Sequence, residues 1–191
     1  MFKNVIHEMQ QKPLGNLNVI CARPGDGRRS FAIALANAMA AKGGCVYYCS
    51  IIRTRAYLEN QLLPSVRFLN AFPLESLPKG AVIVVDTLSS FVLQEGLKHA
   101  PVGAYDKEAI QTALLLKLQK CATQRKWRVV VTETFAHASD PDAMLPLTKE
   151  ALQLCDRAYI LYKDSITANN LPCADTPALQ IKEISLSSEN V

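Results

Sequence analysis

Five short apolar runs, "LNVICA", "CVYYCS", "AVIVVD", "RVVVTET" and "RAYILYK", limit what this chain can fold into more than any other feature. Each is nearly continuous rather than alternating, rich in β-branched residues and bounded by polar or turn residues. Runs of this kind read as strands buried on both faces of a parallel sheet. Helix-like segments lie between them, at Ser30–Lys42, Arg55–Leu63, Tyr105–Thr123 and Thr148–Leu154. Strand alternating with helix implies an α/β doubly wound domain with right-handed crossovers. The clearest helix follows Tyr105. There Ile110, Ala113, Leu114, Leu118 and Cys121 share an apolar face, opposite Glu108, Thr112 and Gln119. Lys117 falls inside that stripe, where its long stem lets the ammonium reach water.

The two ends differ from this pattern. "FKNVIHEM" spaces Phe2, Val5, Ile6 and Met9 for a short amphipathic helix before Pro13 and Gly15, which covers its own domain or docks on a neighbouring subunit. "DSITANNLPCADTP" reads as a polar loop and "ALQIKEISLS" as a last strand at an edge. The expected organisation is a helix and linker over residues 1–16 and a single domain over 17–191.

Composition excludes several classes. With 191 residues, 49% hydrophobic and 20% charged, the chain can bury a substantial core. No apolar run reaches the roughly 18–20 residues that span a bilayer, and "MFKNVIHEMQQ" lacks the features of a secretory signal. The six cysteines (Cys21, Cys45, Cys49, Cys121, Cys155 and Cys173) show no CxxC spacing. A reducing cytoplasm is therefore expected, without a disulfide scaffold or zinc site. A net charge of +4 permits nucleic-acid contact without arguing for it.

The loop after the first run, "ARPGDGRR", resembles a phosphate-binding loop in its setting: an apolar strand before it, an alanine-rich helix after it, and Gly43–Gly44 to end that helix. Set against G-x-x-x-x-G-K-[ST], Ala22 takes the first glycine's place, Gly27 the second, Arg28 the lysine's and Arg29 that of the Ser/Thr. A shift by one puts Arg29 and Ser30 on the last pair but leaves Arg28 where a glycine is required. The motif thus fails at its two chemically active positions. Arg23, Gly25, Gly27, Arg28, Arg29 and Ser30 remain candidates for binding an anion or nucleotide at a helix N-terminus. Cations there are unfavourable against the helix dipole, which argues against a passive loop.

"VICARPGDGRRSFAIALANAMA" resembles the loop of replicative DnaB-type helicases within the RecA-like group, and the resemblance runs in order along almost the whole chain. "CVYYCSIIRTRAYLENQLL" is similar to that family's second strand and helix, and "AVIVVDTLSSF" to its Walker B strand, with Asp86 on the matching acid. "YDKEAIQTALLLKLQKCATQRKWRVVVTET" matches its long helix and sensor strand, and "ALQLCDRAYILYKD" a later strand. The resemblance implies a RecA-like P-loop NTPase fold, with ATP or ADP as ligand. It also exposes departures. The family's water-activating acid aligns with Ile52 and its sensor glutamine with Thr134. Its closing Lys-Gln-Arg segment, which reaches the next subunit's nucleotide, corresponds to "IKEISLSSENV", with Lys182 and no arginine after it.

A missing arginine finger is worth about 10³–10⁵ in rate and a missing general base about 10²–10⁴. Arginine's flat fork does not fit a cradle made for an ammonium, and Arg29 cannot bind magnesium. Efficient ATP hydrolysis by this chain alone is not expected, and Asp86 either pairs with Arg28 or Arg29 or holds magnesium. Elsewhere, Glu133, His137, Asp140 and Asp142 in "TETFAHASDPDAM" read as a polar loop with no metal spacing. "LQEGLKHAPVGAYDK" reads as a solvated loop, despite Lys98, His99 and Lys107, and Trp127 as an anchor of the sheet edge. Two functions follow from the departures. The first is a catalytically degenerate RecA/DnaB-like binding or assembly module. It would join a protein partner or its own copies, in replication or maintenance of plasmid or phage DNA. The alternative is an ATPase or DNA translocase with an atypical loop, its acid coming from Glu133 or a partner chain.

Overall fold

The computed structural model describes residues 6, 7, 9, 14–23, 26–51, 58, 60–72, 76–99, 105–134, 147–163 and 179–184. In chain order these form β1 (Leu17–Ala22), α1 (Arg28–Ala41), β2 (Val46–Cys49), β3 (Val66–Leu69) and β4 (Val82–Val85). They continue with α2 (Leu88–His99), α3 (Lys107–Arg125), β5 (Arg128–Thr134), α4 (Lys149–Gln153), β6 (Arg157–Lys163) and β7 (Leu179–Ile184).

The strands make one sheet in the order β3-β2-β4-β5-β1-β6-β7. The first six run parallel, and β7 closes the edge antiparallel to β6. All five expected runs are strands, and the further strand expected in "ALQIKEISLS" is β7, at an edge. The continuous apolar runs have their reason in the two layers. Val19, Cys21, Val85 and Val131 face one core with α2 and α3, while Ile20, Val84, Val130 and Tyr48 face another with Phe31 and Leu35 of α1. Because successive side chains alternate across a strand, a sheet covered on both sides requires apolar residues at every position. Fully burying each such side chain is worth about 1.5–3 kcal/mol.

Helix α1 starts where Gly27 adopts a left-handed conformation, φ 77 and ψ 22, with no side-chain cap. Only glycine takes that geometry freely, so the one glycine of the motif that the loop retains in place meets a backbone requirement. The helix ends as Gly43, at φ 81, donates to the Ala40 carbonyl at 2.9 Å. Helix α3 is capped by Asp106, whose carboxylate accepts from the Ala109 N–H at 3.0 Å. Its buried face holds Gln111, Leu115, Leu118, Cys121 and Ala122, so the stripe is rotated from the expected one. Ala113 and Lys117 both lie outside it and are exposed.

Several readings change. The stretch from Leu93 was expected to be a loop, but through His99 it continues α2. Gly96 sits in this helix because Tyr105 packs against it: a Cβ there would meet the Tyr105 ring at 2.6 Å. Strand β3 was not expected; it is four residues long and lies at the other edge of the sheet. Trp127 is fully buried and donates to the Pro78 carbonyl at 2.7 Å, but it precedes β5, a central strand, rather than anchoring an edge. At the N-terminus, Ile6 and Met9 are buried in the α1 core of the same chain. Phe2 and Val5 lie outside the described residues, as do residues 55–57 and 59 of the helix expected over Arg55–Leu63; Leu58 is helical, but residues 60–61 already form a turn, so the helix stops short of Leu63. Among the described residues, no helix is long and apolar enough to cross a membrane.

Candidate functional site

Parallel strands bring their carboxyl ends to one side of the sheet, where open α/β folds hold ligands. Ser50 follows β2, Asp86 follows β4, Thr132 to Thr134 end β5, and the loop after β1 leads into α1. Register makes neighbours of them: β4 pairs with β5 through Val85 and Val131, which sets Thr132 beside Asp86.

Asp86 is 1% exposed, and its N–H donates to the Cys49 carbonyl at 2.8 Å, extending the ladder past the strand. Its carboxylate is surrounded by donors. Arg29 Nε donates to Oδ2 at 3.2 Å and Ser50 Oγ to the same oxygen at 3.4 Å. Thr87 Oγ1 donates to Oδ1 at 3.2 Å and Thr132 Oγ1 to Oδ1 at 3.4 Å. Arg28 Nη2 stands 3.9 Å from Oδ1, an ion pair beyond hydrogen-bonding distance. One carboxylate thus faces two guanidinium groups.

Two polar atoms beside it, Arg28 Nη1 and Tyr48 Oη, are buried without a hydrogen-bond partner among the described residues. Burial, and then the negative charge of Asp86, pushes the Tyr48 phenol well above its ordinary range. Thr87 adds strain: it is β-branched yet held at φ 67, with its N–H on Thr132 Oγ1 at 3.1 Å.

A second acid lies on the opposite face. Glu133 is 2% exposed and caps α2: Ser89 N donates to Oε2 at 2.6 Å, and Ser89 Oγ to Oε1 at 3.0 Å. The Thr134 N–H donates to Oε1 at 2.8 Å. Both oxygens are taken up in holding the helix start.

The sequence candidates divide accordingly. Arg28, Arg29 and Asp86 come together, and of the two roles left open for Asp86 the structure shows the ion pair with the arginines. Gly27 sets the turn. The Arg23 carbonyl accepts from the Asp26 N–H at 3.1 Å, closing a turn before it. Ser30 is exposed, so the shifted register has no hydroxyl aimed at the acid. Thr134 ends β5 half-buried, two residues beyond the threonine that touches Asp86. Lys182 stands in β7 opposite Ile160. Gly25, Ile52, His137, Asp140 and Asp142 lie outside the described residues. Among the described residues, no group of three or more His, Cys, Asp or Glu could hold a metal ion. Sequence reasoning missed Ser50, Thr87 and Thr132; the signal for them was a polar residue at or just past the end of each apolar run.

No protein-family model matches the sequence, and no curated protein matches it. Solved structures do. One of them, described as an ATPase domain, is similar at a TM-score of 0.63 and 12% identity, over 93% of this chain and 85% of that one. A DnaB-like replicative helicase, described with its interactions with primase, is similar at a TM-score of 0.58 and 13% identity. That match covers 92% of this chain and 56% of the helicase chain. With the parallel sheet and its order, the likeness shows a RecA-like fold.

Proteins with a phosphate loop hold magnesium between the loop's Ser/Thr and the acid of the β4 position. The residues here do not fit that ion. The loop offers a guanidinium instead of a hydroxyl, and it is already hydrogen-bonded to the acid at 3.2 Å.

Proposed function

We propose that this chain is a catalytically degenerate RecA/DnaB-like module that works by binding rather than by hydrolysing ATP. The observation that carries the reading is the engagement of Asp86 by Arg29 and Arg28, at 3.2 and 3.9 Å. Phosphoryl transfer needs charges positioned on the transferred group, with the metal neutralising the charge that develops. Here the acid that would orient a metal is neutralised from within. Glu133, the nearby acid that could serve as a general base, has its oxygens on Ser89 and Thr134.

The loop retains one capacity. The first-turn N–H groups of α1 have no intrahelical acceptors, and Arg29 commits Nε to Asp86 with 41% of its side chain exposed. An anion such as a phosphate or ADP taken here is held without a divalent metal. Two things support a protein partner: RecA-like domains present broad faces to one another, and the helicase that shares this fold is described with primase. A protein partner or a second copy of this chain, in DNA replication or maintenance, is the role we assign. Steady-state ATP turnover with magnesium tests it. No turnover above background is expected, with Asp86→Asn indistinguishable from wild type. Turnover that needs magnesium and disappears in Asp86→Asn overturns the reading in favour of an ATPase or translocase.

A further inference from the structure

We infer that Arg29 is a resident cation: its guanidinium occupies the place between loop and acid that a divalent metal takes in active phosphate-loop proteins. This chain then has no divalent-metal site at Asp86 as it stands, and removing Arg29 creates one. The inference rests on the reading of the loop given above.

Four observations meet at this point. Residue 29 is the loop position whose hydroxyl would bind the metal, and Asp86 is the matching acid. The structure joins the two directly, Nε to Oδ2 at 3.2 Å. The Arg29 side chain is 41% exposed and that of Asp86 0%, so the arginine is open to solvent where the acid it pairs with is not. Finally, Ser50, Thr87 and Thr132 direct their hydroxyls to the same carboxylate, giving it hydrogen-bond donors while Arg29 gives it charge.

The competition favours the tethered cation. A metal arriving from solution gives up translational freedom and most of its water, and magnesium sheds water reluctantly because it demands octahedral oxygen at about 2.0–2.1 Å. Arg29 is already attached. A metal beside Asp86 would also face Arg28, whose Nη2 is 3.9 Å from Oδ1 and whose Nη1 has no hydrogen-bond partner among the described residues. Two guanidinium groups repel a dication where one carboxylate attracts it. Replacing Arg29 with threonine removes the nearer cation and places a hydroxyl at the metal-binding position. Arg28 remains, so the created site is weaker than that of an active enzyme.

The test is titration with manganese(II), followed by the loss of its free electron paramagnetic resonance signal, without nucleotide, on wild type, Arg29→Thr, Asp86→Asn and the double variant. Wild type and Asp86→Asn should bind equally weakly, with no stoichiometric site below roughly 1 mM. Arg29→Thr should gain one site, at least about 10-fold tighter, which the double variant loses. Circular dichroism verifies that the variants fold. Should the threonine variant not fold, Arg29→Ala replaces it and gains the same Asp86-dependent site more weakly. Stoichiometric manganese on wild type that Asp86→Asn abolishes overturns the inference. So does a folded Arg29 variant with no gain. ATP turnover by wild type would overturn the functional reading while leaving this result unaffected, since metal is measured without nucleotide.

Discussion

Asp86 and Glu133 stand at the ends of adjacent central strands, 1% and 2% exposed, yet they are kept buried by different means. Asp86 is balanced by charge and by rotatable hydroxyls: two arginines, a serine and two threonines. Glu133 is balanced by fixed dipoles, the N–H groups of Ser89 and Thr134 and one hydroxyl, in a face that also buries Cys21, Cys49 and Cys155. A carboxylate needs donors to be buried, but the kind of donor decides whether it can change state. The face of Glu133 is built to stay as it is. The face of Asp86 instead holds a balance of charges that a single substitution at Arg29 would change.

The largest effect expected from this contrast comes with alkali. Burial raises the Cys155 thiol from 9.0 to about 12, and raises Cys21 and Cys49 further still, Cys21 with the added push of Glu133. Below pH 9 the thiols are neutral in both folded and unfolded chains, and their contribution is complete. Above it, ionisation is open to the unfolded chain alone, so stability falls by up to about 1.4 kcal/mol per pH unit for each thiol. Urea denaturation should show a loss of about 3–4 kcal/mol between pH 8 and pH 10. Equal stability at the two values would mean that the Glu133 face tolerates charge after all.

The next effect separates the two acids themselves. In Glu133→Gln the new amide must aim a donor at an N–H donor on either side, and backbone N–H groups cannot reverse. A loss of about 2–3 kcal/mol is expected. In Asp86→Asn the amide can keep its oxygen on Arg29 while its NH2 group donates to Thr87 and Thr132, whose hydroxyls rotate. The loss there should be about 1 kcal/mol. Paired thermal denaturation of the variants checks the order; an equal or reversed cost would erase the distinction drawn here.

Much of the fold was legible because parallel strands covered on both faces leave a compositional trace. The gaps have physical causes. Helix α2 has Gly96 in its interior, and its start is fixed by Glu133, 44 residues away in sequence, so no local cap announced it. Strand β3 is a four-residue edge strand with one buried residue, too short for a pattern. At the site, the pairing of Asp86 with arginine was legible as a loss of motif that left opposite charges in one place. The choice of Thr132 over Thr134 was not: the two share a face of β5, and only the register of β5 against β4 decides which stands beside Asp86. Ser50 and Thr87 were visible only as polar residues after apolar runs, a signal that any turn also gives.

Calorimetric titration with ATP and ADP, with and without magnesium, tests the central claim most directly, because it asks whether the internal cation has replaced the metal. The account predicts that whatever heat is measured is unchanged by magnesium and by Asp86→Asn, and is reduced by removing the arginines of the loop. Binding that requires magnesium and is lost in Asp86→Asn would contradict it.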